Sequence, residues 1–205
     1  MDKGSHIVSS YYVGKVGMDV LKWSGVSDKK SALGGGTLGL MFLTSVEIFD
    51  GYSVGWGASW GDVLANITGT AFLLGQEYIW SEQKMLLKYS FMPSEYPEYR
   101  PALLGRNSHE QMLKDYNGMT FWLSANVASL SEEKTIAGSI KFPKWLNMAF
   151  GYGADGMIGG KINPLQDSNG NSLPYFKRER QFYLSLDIDL TRIKTKSKFL
   201  NTVFN

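Results

Sequence analysis

The sequence contains no cysteine and only 6 prolines. Without cysteine the chain can form no disulfide, no thiolate zinc site and no iron–sulfur cluster, and it has no cysteine nucleophile. Neither sign of charge dominates, because 21 basic residues stand against 19 acidic ones. A chain this balanced is not built as an electrostatic binder of nucleic acid, so we expect no nucleic-acid partner.

Glycine and aromatic residues are abundant instead, with 23 Gly, 6 Trp, 11 Tyr and 11 Phe. A hydrophobic fraction of 43% with 20% charged residues excludes a disordered or collagen-like chain. Glycine combined with aromatic residues is typical of closely packed helices, of short twisted strands, or of a surface that faces a membrane.

Two apolar stretches in the first half approach the length of a membrane span. Residues 31–46 form a charge-free run of 16 residues, and residues 63–76 form a shorter one. A spanning helix needs roughly 17 to 25 residues, so these stretches favour buried helices, or helices that lie in or against a bilayer. The first residues show no basic region followed by an apolar stretch, which predicts that no signal peptide is present.

The first half of the chain predicts three helices, over residues 6–23, 30–49 and 59–80. Short connections make consecutive helices antiparallel neighbours. Glycines lie inside the first two helices, where each disfavours a helix by roughly 1 kcal/mol relative to alanine. Such a cost is understandable if helix backbones approach one another closely at these positions, which are Gly14, Gly17, Gly35, Gly36 and Gly39.

The second half predicts four β-strands, because apolar residues alternate with small or polar ones over residues 85–91, 121–127, 146–153 and 182–191. The segment 93–101 contains three prolines and predicts a long loop. We therefore expect an α+β protein. A three-helix antiparallel bundle over residues 1–82 is followed, over residues 83–205, by an antiparallel β-meander or a partial outer-membrane-type barrel.

Polar residues gather at particular helix ends. In an antiparallel three-helix bundle, the start of the first helix, the end of the second and the start of the third lie at the same end of the bundle. The sequence therefore predicts one polar cluster, made of Asp2, Lys3, His6, Glu47, Asp50, Asp62 and Asn66.

Three interpretations of this cluster stay open. A structural interpretation makes Asp62 part of a capping box with Ser59 and makes Lys3 an ion-pair partner of Glu47 or Asp50. In a binding interpretation, the imidazole nitrogen and the carboxylate oxygens of the cluster bind a divalent metal ion. A catalytic interpretation pairs the imidazole with a carboxylate as general acid and base. The candidate metal ligands are His6, Glu47, Asp50 and Asp62; no strong metal motif is present, so no cofactor is predicted.

Other polar residues are weaker candidates. His109 is expected in a solvated loop, and the glycine-rich stretch 151–156 predicts a strand or a turn, not a dinucleotide loop. Asp187 and Asp189 fall on the polar face of the last strand, which predicts a wetted or exposed face. The basic C-terminal residues predict a solvated face or contact with lipid head groups; they are Arg178, Arg180, Arg192, Lys194, Lys196 and Lys198.

Spaced motifs in the first half carry a family resemblance. Asp2-Lys3-x-x-His6, Glu47-x-x-Asp50 and Gly55-Trp56-x-x-Ser59-Trp60-x-Asp62, with Gly39-Leu40-Met41-Phe42 and Gly69, resemble the YfiM-like family of predicted periplasmic lipoproteins, which has no established function. The pattern is also similar to that of VanZ-like helical membrane proteins. Stretches of the second half, such as Pro143-Lys-Trp-Leu-Asn147, resemble longer Bacteroidetes-type members.

This resemblance implies a location in the bacterial cell envelope and supplies no reaction. We expect a non-enzymatic envelope protein that is associated with the outer membrane and has membrane lipid or other envelope proteins as partners. The alternative is an envelope enzyme, or a metal- or ligand-binding protein, that acts on lipid or cell-wall material through His6 and the neighbouring carboxylates.

Overall fold

A computed structural model describes residues 1–52, 57–130, 142–167, 169–193, 195–197 and 199–200. The chain forms two compact units, Met1–Gln83 and Lys84–Asn205. The first unit is helical, and the second contains a β-sheet. The predicted α+β class is confirmed.

Four helices form the first unit: α1 (Asp2–Trp23), α2 (Asp28–Gly36), α3 (Leu38–Gly51) and α4 (Trp60–Trp80). The prediction of three helices was wrong, because the second predicted helix is divided at Thr37. Three consecutive glycines precede Thr37 and weaken the helix there. The Thr37 hydroxyl donates to the carbonyl oxygen of Leu33 at 2.6 Å. This side-chain hydrogen bond competes with the backbone hydrogen bonds of the helix.

The helix backbones touch at glycines. A Cβ atom added to Gly35 would lie 2.3 Å from the backbone of Gly17. One added to Gly39 would lie 2.0 Å from the carbonyl oxygen of Ser10, and one added to Gly69 would lie 2.1 Å from that of Ile7. Helices α2, α3 and α4 therefore approach α1 at distances that only glycine permits, which explains the unfavourable glycines inside the helices.

The contacts also fix the directions of the helices. His6 near the start of α1 contacts Asn66 near the start of α4, and Lys22 near the end of α1 forms an ion pair with Glu77 near the end of α4. Helices α1 and α4 are therefore parallel. Both α2 and α3 return along α1 in the opposite direction, so the end of α3 meets the starts of α1 and α4.

One stretch of the helical unit is a candidate membrane span. Asp28–Gly51, taken as a single helical stretch of 24 residues, is long and apolar enough to cross a bilayer, and an 18-residue window within it has a mean hydropathy of 1.4. Core helices of soluble proteins can be equally long and apolar. Only 28% of its apolar window is buried, which is less than expected of a core helix.

The second unit contains an open sheet of four antiparallel strands in the order β1-β2-β3-β4. They are β1 (Met85–Phe91), β2 (Met119–Asn126), β3 (Leu146–Asp155) and β4 (Glu179–Ile188). All four strands lie where alternation predicted them, with shifted ends. Among the described residues the sheet does not close into a barrel.

Short helices interrupt the connections of this unit. A 3-10 turn (Tyr96–Glu98) lies within the predicted loop, and α5 (Pro101–Leu104), α6 (Ser108–Lys114) and α7 (Val127–Leu130) were not predicted. His109 is exposed, as expected, but it lies in α6 and not in a loop. The side chain of Asn107 begins α6 by accepting a hydrogen bond from the backbone N–H of Glu110 at 3.0 Å.

The apolar face of the sheet is exposed. The strand register places Leu87, Leu123, Phe150 and Leu184 in one row across the four strands. Leu184 remains 73% exposed, and the large apolar side chains that flank it on β4 are exposed as well. A sheet that faces water on one side normally buries its apolar face, so this distribution is inverted.

The opposite face of the sheet is polar, and its centre is buried. Ser124, Asn126 and Asn147 are fully buried. Asn126 Nδ2 donates to Asn147 Oδ1 at 2.8 Å, and Asn147 Nδ2 donates to Ser124 Oγ at 2.8 Å. Lys88 Nζ donates to Asp187 Oδ2 at 2.6 Å on the same face. These groups satisfy one another's hydrogen-bonding needs, which keeps their burial from being costly.

Candidate functional site

The largest concentration of charge in the helical unit lies where α1 begins, α3 ends and α4 begins. Six of the seven predicted cluster residues are joined there by hydrogen bonds or by oppositely charged contacts: Asp2, Lys3, His6, Glu47, Asp62 and Asn66. Each helix contributes its side chains from its terminal turns, because the antiparallel return of α2 and α3 brings these turns together. We call these six residues the polar cluster.

Lys3 lies between two carboxylates of the cluster. Its ammonium group contacts Asp62 Oδ1 and lies 3.2 Å from Asp2 Oδ2. It also donates to Ser59 Oγ at 3.3 Å. The lysine side chain is half exposed, whereas Asp62 is nearly buried. Lys3 therefore neutralises part of the negative charge at the edge of the cluster that faces solvent.

The two members of this pair shift each other's pKa. Burial alone would raise the pKa of Asp62, but hydrogen bonds from Lys3 and Ser59, the charge of Lys3 and that of His6 whenever it carries a second proton outweigh burial and leave the pKa below its ordinary value. Burial alone would lower the pKa of Lys3, and its hydrogen bonds to Asp62 and Asp2 outweigh that effect, so its pKa is raised. Both residues are charged at neutral pH.

His6 occupies the centre of the cluster. Its Nδ1 lies 3.1 Å from Asn66 Oδ1. Its Nε2 lies 3.7 Å from Glu47 Oε1 and 3.7 Å from Asp62 Oδ1. One imidazole therefore links an amide on one side to two carboxylates on the other. About a fifth of the side chain is exposed, so the ring can be reached from solvent.

Glu47 is the most deeply buried carboxylate of the cluster, with 4% of the residue exposed. Its Oε2 accepts a hydrogen bond from the backbone N–H of Ser59 at 3.3 Å, and its Oε1 faces His6. A carboxylate near the C-terminal end of α3 opposes the helix dipole. Burial and the dipole both disfavour its negative charge, so Glu47 requires a cation nearby.

Two buried polar atoms beside the cluster have no hydrogen-bond partner among the described residues. They are Asn66 Nδ2 and Thr70 Oγ1, which lie one turn apart on α4. Asn66 is completely buried, and its amide contacts His6 through Oδ1 alone. Such orphaned groups are uncommon in proteins and are often found beside functional sites.

The structure departs from the predicted site at Asp50. The side chain of Asp50 makes no hydrogen bond or ion pair with the other described residues, so it lies outside the cluster. The predicted pairing of Lys3 with Glu47 or Asp50 was wrong, because Lys3 pairs with Asp2 and Asp62. Asp2 does not cap α1, whose N-cap position is Met1.

The sequence interpretation missed the role of Ser59. It was expected to cap α4 in a capping box, but its side chain makes no capping hydrogen bond. Instead its hydroxyl accepts from Lys3 and its backbone N–H donates to Glu47. The signal available in the sequence was its position, three residues before Asp62, in the connection that brings α3 and α4 together.

The weaker candidates take structural places. Gly156, at the end of the predicted dinucleotide-like stretch, has a φ of +68° just after β3, so this stretch is a strand and a turn, as predicted. Asp189 was expected on a wetted or exposed face and is instead 2% exposed, where it accepts from the backbone N–H of Thr191. Lys194 and Lys198 of the basic C-terminal set lie outside the described residues.

Residues 1–75 match the family described as predicted periplasmic lipoprotein (DUF2279), a family of unknown function. This match confirms the resemblance to the YfiM-like family and the predicted location on the periplasmic side of the cell envelope. The match ends within α4 and includes every residue of the polar cluster. Gly55 and Trp56 of the family-like motif lie outside the described residues. The VanZ-like and Bacteroidetes-type resemblances remain predictions.

No curated protein and no solved structure matches the chain.

Proposed function

We propose that this protein, whose first 75 residues match the periplasmic lipoprotein family, is a non-enzymatic component of the bacterial cell envelope that binds membrane lipid through the apolar face of its sheet. The membrane that we propose is the outer membrane. One observation carries the proposal: the apolar face that a soluble sheet would bury is exposed on β3 and β4, and the polar face that it would expose is buried at its centre.

The exposed face is large and free of charge over its central rows. Phe150 is 50% exposed, Phe182 62%, Leu184 73% and Leu186 71%. Fully burying one such side chain is worth roughly 1.5 to 3 kcal/mol. Even partial burial of this face against acyl chains would therefore supply several kcal/mol of binding free energy. Exposed apolar patches of this kind mark protein or membrane contact sites.

Strand length and face chemistry favour lipid over a protein partner. β3 and β4 have 10 residues each, within the roughly 9 to 11 that cross a bilayer when tilted. Apolar residues face outward and small or hydrogen-bonded polar residues face the other side, which is the alternation of a membrane β-structure. Gly151 and Ala149 on the buried face illustrate the small residues.

The helical unit shows the same inversion and supports the proposal. Val16, Val20 and Trp23 form an exposed apolar stripe along α1. The interior of the unit contains buried polar residues, among them Ser10 and Gln76. Apolar residues such as Tyr11 and Leu73 are buried beside them, so the support comes from the exposed apolar stripe, which is typical of membrane-associated helices.

The free edges of the sheet limit how deeply it can insert. Hydrocarbon tolerates no open sheet edge, because unpaired backbone groups there cost several kcal/mol each. A partial barrel of outer-membrane type would therefore require a partner strand beside β1 and another beside β4. We therefore propose that the open sheet lies on the membrane surface with its apolar face against the lipid, without crossing the bilayer.

A vesicle flotation experiment tests this proposal. The full chain is mixed with vesicles of phosphatidylethanolamine and phosphatidylglycerol, and the fraction that floats with lipid is measured. We expect the wild type to float and the double variant Leu184→Asp, Leu186→Asp to bind roughly tenfold less, because charges on a lipid-facing strand are unfavourable by about 1 to 2 kcal/mol or more.

The control is Ser185→Asp, which places one negative charge between the two leucines on the opposite face of β4, where Ser185 is exposed; each single variant, Leu184→Asp and Leu186→Asp, is compared with it. We expect this variant to float as the wild type does. The proposal is overturned if the wild type stays with the soluble fraction in the presence of vesicles, or if the charge on Ser185 reduces flotation as much as the charges on the leucines.

A further inference from the structure

We propose that His6, Glu47 and Asp62, with Asp2 at the solvent side, form a binding site for a divalent transition-metal cation of the zinc class. The site lies within the helical unit and does not depend on lipid binding by the sheet. The argument uses the spacing of the ligand atoms, the hydrogen bond that orients the imidazole, and the need of buried acceptors for a positive charge.

The ligand atoms have the spacing of a metal site. His6 Nε2 lies 3.7 Å from Glu47 Oε1 and 3.7 Å from Asp62 Oδ1. These distances exceed those of good N–H···O hydrogen bonds, roughly 2.7 to 3.2 Å. Around a tetrahedral zinc ion with bonds of about 2.1 Å, neighbouring ligand atoms lie about 3.4 Å apart. Each carboxylate oxygen therefore lies within a few tenths of an ångström of the distance from Nε2 that a shared cation requires.

A fourth ligand is available at the entrance. Ligand atoms of Asp2, His6 and Asp62 all lie within 4.8 Å of one another. Asp2 is half exposed and is the second residue of α1, so its side chain can turn toward the cation. One imidazole nitrogen and carboxylate oxygens make a donor set that suits zinc and similar transition metals better than calcium, which prefers oxygen alone.

Asn66 holds the imidazole in the orientation that metal binding requires. Because Asn66 Oδ1 can only accept, the proton of a neutral His6 lies on Nδ1 and is donated to it. Nε2 then presents a lone pair to the two carboxylates. Histidines that bind metals commonly donate their other ring N–H to an oxygen acceptor in this manner.

The burial of Asn66 supports a functional role. Its Nδ2 has no hydrogen-bond partner among the described residues, although the side chain is completely buried. A leucine at this position would have no unsatisfied donor. What the asparagine adds is the hydrogen bond between its Oδ1 and His6. The asparagine therefore serves the orientation of His6 and not the stability of α4.

The acceptors of the site also call for a cation. A lone pair on Nε2 and two carboxylates, one of them 4% exposed, repel one another unless a positive charge lies between them. Lys3 neutralises Asp62 from the solvent side, and its ion pairs are with Asp62 and Asp2. Its half-exposed side chain can swing into solvent, so the ammonium group competes with a metal ion but does not block it.

Zinc titration of the full chain tests the site. The protein is treated with a chelator, freed of it, and titrated with zinc by calorimetry, with calcium and magnesium as comparison ions. We expect one zinc ion per chain and no comparable affinity for calcium or magnesium. His6→Ala should abolish binding, and Asn66→Leu should weaken it about 10- to 100-fold, as is usual when the partner that orients a ligand is removed.

Lys3→Met separates a metal site from a structural ion-pair cluster. If a metal binds, removing the competing ammonium group should tighten zinc binding. The matched controls are Asp50→Asn, a nearby carboxylate outside the cluster, and His109→Ala, which removes the other histidine of the sequence. Both controls should bind zinc as the wild type does.

The proposal is overturned if the wild type takes up no zinc. It is also overturned if His6→Ala and Asp50→Asn bind zinc equally well. Should His6→Ala fail to fold, X-ray absorption of the zinc-loaded His109→Ala variant decides the matter: an imidazole bound to zinc can then come from His6 alone, and its absence rejects the site.

Discussion

The helical unit and the sheet unit both bury polar side chains and expose apolar ones, but they do so with different chemistry. The polar face of the sheet contains amides and hydroxyls that satisfy one another, such as Asn126, Asn147 and Ser124. The interior of the helical unit contains carboxylates, an imidazole and two unsatisfied polar atoms on Asn66 and Thr70. Satisfied networks stabilise a fold, whereas charged and partly unsatisfied ones more often serve a function.

The largest expected effect concerns how the helical unit is held together. Gly69→Ala should destabilise it by about 3 kcal/mol, because the new Cβ would lie 2.1 Å from the backbone oxygen of Ile7 and 2.1 Å from Ser10 Oγ. Gly75→Ala is the matched control on the same helix, where a Cβ meets nothing within 4 Å. It should stabilise by up to about 1 kcal/mol through helix propensity. Thermal unfolding followed by the helical circular dichroism signal measures both.

Equal effects of these two substitutions would contradict the close packing of α1 and α4. The helices of this unit would then be held together by side-chain contacts, and Gly69 would have no packing role.

The second prediction compares the two polar interiors directly. Asn147→Leu should cost about 2 to 3 kcal/mol, because it removes hydrogen bonds to Ser124 and Asn126 and leaves buried polar atoms without partners. Asn66→Leu should cost about 1 kcal/mol or less, since it removes one hydrogen bond together with a donor that is already unsatisfied. Denaturant unfolding of the two variants beside the wild type measures the difference.

If Asn66→Leu proves as costly as Asn147→Leu, the asparagine of the helical unit is a structural residue, as in the sheet. The argument that Asn66 exists to orient His6 would then fail, and with it the distinction between the two interiors.

The sheet was more predictable than the helical unit. Strands have a period of two, and the alternation of Phe182, Leu184 and Leu186 with small or polar residues placed β4 without any tertiary information. The break at Thr37 depends on a local hydrogen bond to Leu33 and on the glycines before it, which a periodicity argument does not weigh. Which face of the sheet is exposed is a tertiary property, because alternation is the same for a soluble sheet and a membrane-facing one.

The site was predictable in outline because connectivity alone brings the ends of three helices together. Which side chain at a helix end reaches the cluster could not be derived in the same way. Glu47 and Asp50 are both near the end of α3, yet only Glu47 reaches His6. The partner of Lys3 depends on the paths of flexible side chains, and several carboxylates were within reach. Backbone donors such as that of Ser59 have no sequence signature.

The third prediction concerns pH and the edge of the polar cluster. The lowered pKa of Asp62 contributes stability that is present above its ordinary value of about 3.9 and is lost as pH falls through the folded-state pKa. The raised pKa of Lys3 contributes stability that is present below about 10.4 and is lost as pH rises through the folded-state pKa. The pair therefore stabilises the helical unit between about pH 4 and 10.

Lys3→Met removes this contribution and should cost roughly 1 kcal/mol or less on the plateau, because the lysine is half exposed. The difference in melting temperature between wild type and variant should be constant between these limits and shrink outside them. A difference that stays the same at pH 3 and pH 7 would show that Lys3 stabilises α1 by packing and not by its charge.

The smallest expected effect concerns whether α1, like the sheet, contacts lipid. Lys15 and Asp19 form an ion pair at 2.5 Å on α1, beside the exposed stripe that contains Val16 and Val20, whereas the central rows of the sheet face carry no charge. The Asp19 side chain is 48% exposed, so Asp19→Asn should cost only about 0.3 to 0.5 kcal/mol if this side of α1 is in water.

Asp19→Asn is measured by thermal unfolding in buffer and again with the protein bound to vesicles. An ion pair that is removed from water loses 3 to 5 kcal/mol when one partner is deleted, because the other charge is left buried. A small cost under both conditions places lipid contact on the sheet and leaves this side of α1 in water. A large cost that occurs only with vesicles would instead show that lipid also contacts this side of α1.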